Sequence, residues 1–326
     1  MAKKKEAVLE FPRPLDNTGQ VGHGETKRLF LDAWARRDEY PIHPVWLITG
    51  PKGIGKATLA YDLVARIFSD LTGRPADDIR TQMTAGGIGD LYIIDIEHSD
   101  SKTKTIPVDA LRQMIEKMQM SSMAESWRVV VIDSVDELSR DAPNAILKTL
   151  EEPPKKTIFF LIAHSLDRVL PTIRSRARVE KLRPLSPMEL REIASAILPE
   201  KEIGFGLIKI SGGSFGKIAE MAVSGADSLF DDVVALMENV RSSSADMLAL
   251  SKRIAKNPET ISVLMDVIHH FGLADLYSQA LTDIERMRIV NLEPELTIFK
   301  ILNEIKKCFP FPRPSCSPGM TNTDTR

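Results

Sequence analysis

The stretch at residues 50–58, Gly-Pro-Lys-Gly-Ile-Gly-Lys-Ala-Thr, holds the residue types that wrap a phosphate group. Gly50, Gly53 and Gly55 let backbone N–H groups turn inward, and the ammonium of Lys56 neutralises phosphate charge. Loops of this kind end in a Ser or Thr whose hydroxyl holds Mg²⁺. Ala57 stands at that place and has no oxygen to offer. Thr58 follows, but one step along a helix turns a side chain by about 100°, so it substitutes poorly. ATP or ADP is the nucleotide such a degenerate loop would hold. A ligand-free glycine turn between a strand and a helix is the plainer alternative.

A second chemical element is Val129-Val130-Val131-Ile132-Asp133-Ser134. An apolar strand ending in Asp places a carboxylate where a nucleotide's Mg²⁺ is organised. Hydrolysing proteins of this design usually follow it with Glu, which polarises water. Ser134 has no carboxylate, and Asp136 and Glu137 lie past the strand end and are expected to aim elsewhere. His164, directly after another apolar run, reads as a satisfied structural histidine. Arg176 sits in a basic stretch with Arg168, Arg174, Arg178, Lys181 and Arg183.

The elements that would position these residues follow from periodicity. Val45–Thr49 is a short apolar run leading into the glycine loop, and Lys56–Phe68 has an apolar helical face, so the loop joins a buried strand to a helix. Further strands are predicted at Leu91–Ile96, Arg128–Asp133, Thr157–Ala163 and Arg178–Leu182, with helices at Gly24–Arg37, from Pro107 to about Met120, and at Asp141–Leu150. Ser69–Asp90 is polar and reads as irregular. Strands alternating with helices predict an α/β parallel sheet covered on both faces. Beyond Leu182 the pattern is helical. Ser186-Pro187-Met188-Glu189 is a capping box, and Ser214 is placed to cap a further helix. Five helical segments are expected between Ala226 and Lys307, broken near Ser242–Ser244, Pro258, Gly272 and Pro294.

With 326 residues the chain suits more than one core. The expected division is 1–184 for the sheet domain, 185–225 for a small helical lid, 226–307 for an all-α domain, and 308–326 for a disordered tail. A net charge of −2 gives no overall pull toward nucleic acid or membrane. The cysteines, Cys308 and Cys316, lack metal-ligand spacing and fit a reducing cytoplasm. No stretch approaches the ~18 apolar residues of a membrane span.

Residues 141–154, Asp-Ala-Pro-Asn-Ala-Ile-Leu-Lys-Thr-Leu-Glu-Glu-Pro-Pro, followed by Leu170-Pro171-Thr172-Ile173-Arg174-Ser175-Arg176-Ala177, closely resemble the clamp-loader ATPases of the AAA+ superfamily. The likeness covers roughly residues 20–225. It implies a P-loop (RecA-like) AAA+ sheet domain, a helical lid and an oligomerising collar. It also implies a cytoplasmic ring-like heteropentamer with gamma/tau-type ATPase subunits and a delta subunit. That ring places a sliding clamp on primer-template DNA for bacterial DNA polymerase III. By the same resemblance Arg176 is an arginine finger that serves a neighbouring subunit's ATP site, with Ala177 replacing the family's Cys. Gly216 occupies the place of the lid arginine of active members, with Lys217 one residue off. The zinc-binding cysteines of many members have no counterpart in Ser69–Asp90, so no zinc is expected. The losses at Ala57, Ser134 and Gly216 imply a subunit that does not hydrolyse ATP and does not itself synthesise DNA. A stand-alone P-loop ATPase and an active clamp-loader motor are the alternatives.

Overall fold

A computed structural model describes residues 12–17, 21–95, 105–120, 126–139, 141–198, 203–224, 226, 228–238 and 243–308. The basic Lys3–Lys5 stretch and the expected tail from residue 309 lie outside the described residues. The chain forms two compact units, residues 1–203 with 211–219, and residues 204–210 with 220–326. The expected lid, 185–225, is thus shared between them.

In the first unit β1 (Val45–Thr49), β2 (Leu91–Asp95), β3 (Arg128–Asp133), β4 (Thr157–Ala163) and β5 (Arg178–Lys181) form one sheet in the order β2-β3-β4-β1-β5. Every neighbouring pair is parallel. Parallel neighbours need crossovers, and the crossing helices cover both faces, which is why the strands are apolar on both sides. Along β1, Trp46 and Ile48 enter one core with Phe30, Leu63 and Ile79, while Val45 and Leu47 enter the other with Leu111 and Ile146. The first face carries α1 (Gly24–Ala35), α2 (Lys56–Thr72) and α3 (Ala76–Thr84). The second carries α4 (Val108–Met120), α5 (Ala142–Glu151) and α6 (Pro171–Arg174). The buried carboxylate of Asp62 on α2 ties the first face together, pairing with Lys27 of α1 at 2.7 Å, with Arg66 at 2.9 Å, and with Arg80 of α3.

Two features of this unit depart from the sequence reading. The stretch expected to be irregular, Ser69–Asp90, contains the end of α2 and all of α3. Gly73, in the left-handed region with φ 69°, donates its N–H to Ser69 and closes α2 a turn later than expected. Asp77 and Asp78 complement the N-terminal dipole of α3, while Ile79 and Met83 reach the core. The polar majority of that stretch conceals a narrow apolar face. The single-turn α6 is too short to leave a periodic trace.

α7 (Pro187–Ile197) starts with the expected capping box, in which Ser186 Oγ accepts from the Glu189 N–H and Glu189 accepts from the Ser186 N–H at 2.7 Å. α9 (Phe215–Ser224) follows Ser214, whose Oγ accepts from Lys217 N–H at 3.1 Å. The short α8 (Phe205–Ile210) was not legible in the sequence. The second unit contains α8, the end of α9, and the five helices α10 (Leu229–Glu238), α11 (Ser244–Ala255), α12 (Pro258–His270), α13 (Ala274–Val290) and α14 (Pro294–Cys308). These match the five expected segments. Leu229, Val233, Ile254, Leu264, Ile298 and Leu302 are buried in it. Cys308 closes α14 instead of opening the tail.

Candidate functional site

The loop at residues 50–55 leaves the end of β1 and enters α2, and Asp133 stands at the end of β3. β4 runs between those two strands, so strand spacing sets loop and carboxylate about 10 Å apart at the same edge of the sheet. Gly53 and Gly55 have φ of 77° and 93°, a region that glycine enters without strain.

The loop's carbonyls are engaged by groups of this chain. Lys56 Nζ donates to Gly50 O at 2.8 Å and Pro51 O at 2.7 Å. The Gly216 N–H at the start of α9 donates to Gly53 O at 3.0 Å. The buried ring of His23, the residue before α1, bonds Ile54 O at 2.8 Å, so its Nε2 carries the hydrogen. The backbones of Gly53 and Gly216 are in direct contact, since a Cβ on Gly216 would lie 2.8 Å from Gly53 Cα. Ala57 is buried and belongs to the apolar core on the α2 face, while Thr58 is half-buried on the same turn. Burial lowers the Lys56 pKa to about 8, opposed by the charges of Asp133, Asp136 and Glu137. Burial also lifts Asp133 to about 6, with Lys56 opposing and the carboxylates of Asp95, Glu137 and Asp136 pushing the same way as burial.

Asp136 and Glu137 do not aim elsewhere. A short 3₁₀ turn at Val135–Glu137 swings both back to this edge. Asp136 accepts from the backbone N–H groups of His164 and Ser165, each at 3.0 Å, which clips the end of β3 to the end of β4. Glu137 accepts from Ser134 Oγ at 3.0 Å and lies 3.9 Å from His164 Nε2. Nor is the His164 ring fully satisfied, since its buried Nδ1 has no hydrogen-bond partner among the described residues. Burial lowers its pKa, and the charge of Lys56 acts in the same direction. His23 is a participant that sequence reading missed, and Glu137 one that it expected elsewhere. Neither had a spacing signal, because a tertiary approach brings His23 to the loop and a tight turn brings Glu137 beside Ser134 and His164.

The structure gathers Gly50, Gly53, Gly55, Lys56 and Asp133 at one edge, whereas the contacts of Arg176 are made around α5 and α6. Its Nη2 pairs with Glu151 at 2.7 Å, and its Nη1 donates to Thr172 O at 2.9 Å and to Ser175 Oγ at 3.2 Å. Ala177, beside it, packs against the core on the α5 face, an environment suited to a small apolar side chain. Among the described residues no group of His, Cys, Asp and Glu is placed to hold a metal ion, and no helix is long and apolar enough to cross a membrane.

Residues 33–186 match the family described as DNA polymerase III, delta subunit. The chain is 32% identical over 182 residues to DNA polymerase III subunit gamma of Buchnera aphidicola subsp. Acyrthosiphon pisum, covering 55% of this chain and 50% of that protein. It is 33% identical over 176 residues to subunit delta' of Pseudomonas aeruginosa, covering 52% of each. It is 29% identical over 194 residues to subunit tau of Escherichia coli, covering 60% of this chain and 30% of that protein. The chain therefore spans about half or less of the length of these relatives. Among solved structures, a gamma subunit-related protein of Thermotoga maritima gives a TM-score of 0.41 at 15% identity, over 87% of this chain and 98% of that one. The RuvB branch migration motor of the same organism gives 0.45 at 15%, over 90% and 91%. Likeness at that level carries no argument about this chain, and the order and direction of its strands show a five-stranded parallel α/β sheet with the glycine loop after β1. Over residues 33–186 the chain is therefore similar to the DNA polymerase III subunits named gamma, tau and delta prime.

Proposed function

We propose that this chain is a delta-prime-type clamp-loader subunit that does not hydrolyse ATP itself and supplies Arg176 in trans to an ATPase neighbour. The observation that carries the reading is a pattern of loss and retention. The metal-binding hydroxyl, the water-polarising carboxylate and the lid arginine are replaced by Ala57, Ser134 and Gly216, while Arg176 remains, partly exposed to solvent. A motor needs the first three together in cis. A finger needs only a permanent charge with a planar donor fork, displayed at a surface.

The loop residues support the same reading. A nucleotide with Mg²⁺ fits them badly. Ala57 faces apolar neighbours, Lys56 is committed to two loop carbonyls, and the Gly53 carbonyl is committed to α9. We assign the loop a scaffold role that joins β1, α2 and α9, with any bound ATP or ADP serving structure alone. The partners under this proposal are gamma- or tau-type ATPase subunits and a delta subunit, joined through the second unit. The ring's targets are a sliding clamp and primer-template DNA, and its place of action is the cytoplasm.

The test is ATP turnover by the reconstituted complex with Arg176→Ala in this chain. Removal of an arginine finger is expected to lower turnover at the one site it serves by roughly 10³-fold or more, and so to remove that site's share of the complex's turnover. Turnover equal to that of the unaltered complex would remove the finger assignment. The similarity to chains named gamma favours a second reading, an active motor. Phosphate release by the purified chain with Mg²⁺ and ATP, abolished by Lys56→Ala, would establish that reading instead.

A further inference from the structure

The carboxylate that holds Arg176 sits where helix electrostatics disfavour it. Glu151 is the last residue of α5, and the C-terminal end of a helix carries partial negative charge. A carboxylate there opposes the helix dipole, and its side chain is 49% exposed, so the pair it forms adds little to stability. The pair does fix a direction. Nη2 is held by Glu151, and Nη1 by the Thr172 carbonyl and the Ser175 hydroxyl, so three oxygens grip one guanidinium. They arise from two elements, the C-terminus of α5 and the short α6. Among the described residues nothing accepts from the Arg176 Nε–H, and Nη2 has a second proton for another acceptor. Those donors are suited to a phosphate oxygen arriving from outside the chain.

We propose that Glu151 is a positioning residue for Arg176, holding the guanidinium with donors presented outward so that little side-chain freedom is lost when it engages a neighbour's nucleotide. The inference rests on the arginine-finger reading above. It is separable from that reading because Glu151 acts only through Arg176.

The experiment measures ATP turnover by the reconstituted complex with four versions of this chain: Glu151→Ala, Glu151→Gln, Arg176→Ala and the double variant. Glu151→Ala is expected to lower kcat about tenfold at the site Arg176 serves while KM for ATP stays within about twofold, since a group that orients the guanidinium for the transition state acts on kcat. Glu151→Gln keeps an oxygen acceptor and should recover most of the loss. Glu151→Ala should cost nothing further in the Arg176→Ala background. Full turnover by Glu151→Ala beside a defective Arg176→Ala overturns the positioning role and leaves the finger intact. An equal loss from Glu151→Ala in both backgrounds makes Glu151 merely structural and also overturns it. Full turnover by Arg176→Ala overturns the finger, and the inference with it.

Discussion

Replacing Gly216 with Ala puts one carbon into the contact between α9 and the glycine loop. The added Cβ would lie 2.8 Å from Gly53 Cα, 3.6 Å from its carbonyl oxygen and 3.7 Å from its carbonyl carbon. Carbon atoms rest at about 3.5–4.0 Å, so the first approach is too short by roughly 1 Å. Every atom it meets is backbone, and no rotamer change relieves the overlap. The start of α9 must retreat, stretching the Gly216 N–H bond to Gly53 O from its present 3.0 Å. Overpacking of this kind costs about 1–3 kcal/mol, and the weakened hydrogen bond about 1 kcal/mol more. Ala returns up to about 1 kcal/mol through helix propensity. The net destabilisation is about 1–3 kcal/mol, or a fall in Tm of about 2–4 °C for each kcal/mol in a unit of this size. Thermal unfolding followed by circular dichroism measures it. Gly24→Ala is the control, because a Cβ there meets nothing within 4 Å. A Gly216→Ala chain melting no lower than the unaltered protein would refute the claimed approach of α9 to the loop. Gly216→Arg, which adds a long side chain to the same Cβ, should fall further than Ala.

Further outcomes follow from the same side chains. Asp133, lifted to about 6 from 3.8, keeps a proton in the folded chain across that interval after the unfolded chain has released it, so its contribution lowers stability as pH rises from about 4 to 6. Asp133→Asn should flatten that slope and stabilise the chain by about 1–3 kcal/mol at pH 7 in urea unfolding. Lys56, lowered from 10.5 to about 8, does the reverse at alkaline pH: the unfolded chain holds the proton that the folded chain has lost, so stability rises between about 8 and 10. Lys56→Met should abolish that rise. Asp62→Asn takes the buried anion from Lys27, Arg66 and the buried Arg80 and, with two of the three cations able to reach water, should cost about 3 kcal/mol, seen as a lower urea midpoint. Burial alone would raise the pKa of Asp62, but hydrogen bonds from Lys27 and Arg66 outweigh it and hold the pKa below 3.8, so this support is lost as pH falls below that value. Ser186→Ala removes the α7 cap and should cost about 1 kcal/mol in the same assay.

The sequence by itself determined the elements whose signals are local. Strands buried on both faces leave unbroken apolar runs, so β1, β3 and β4 were legible to the residue. Ser186 and Glu189 announce a capping box four residues long, and prolines and glycines mark the breaks among α10–α14. The loop glycines, Lys56 and Asp133 were singled out because phosphate-binding chemistry requires such residues at fixed places relative to a strand end. Tertiary structure decided what depends on approach. α3 is held by a few apolar side chains beneath a polar face, and α6 is a single turn fixed by its surroundings. The return of Asp136 and Glu137 depends on a tight turn, the loop bonds of His23 and Gly216 on segments distant in sequence, and the Glu151–Arg176 pair on α5 meeting α6. Local chemistry writes propensity and caps into neighbouring residues, but the partner of a charge or a carbonyl is chosen by the path of the chain. The sequence therefore named the residues of the loop, and only the fold placed α9, His23 and Lys56 on the oxygens of that loop.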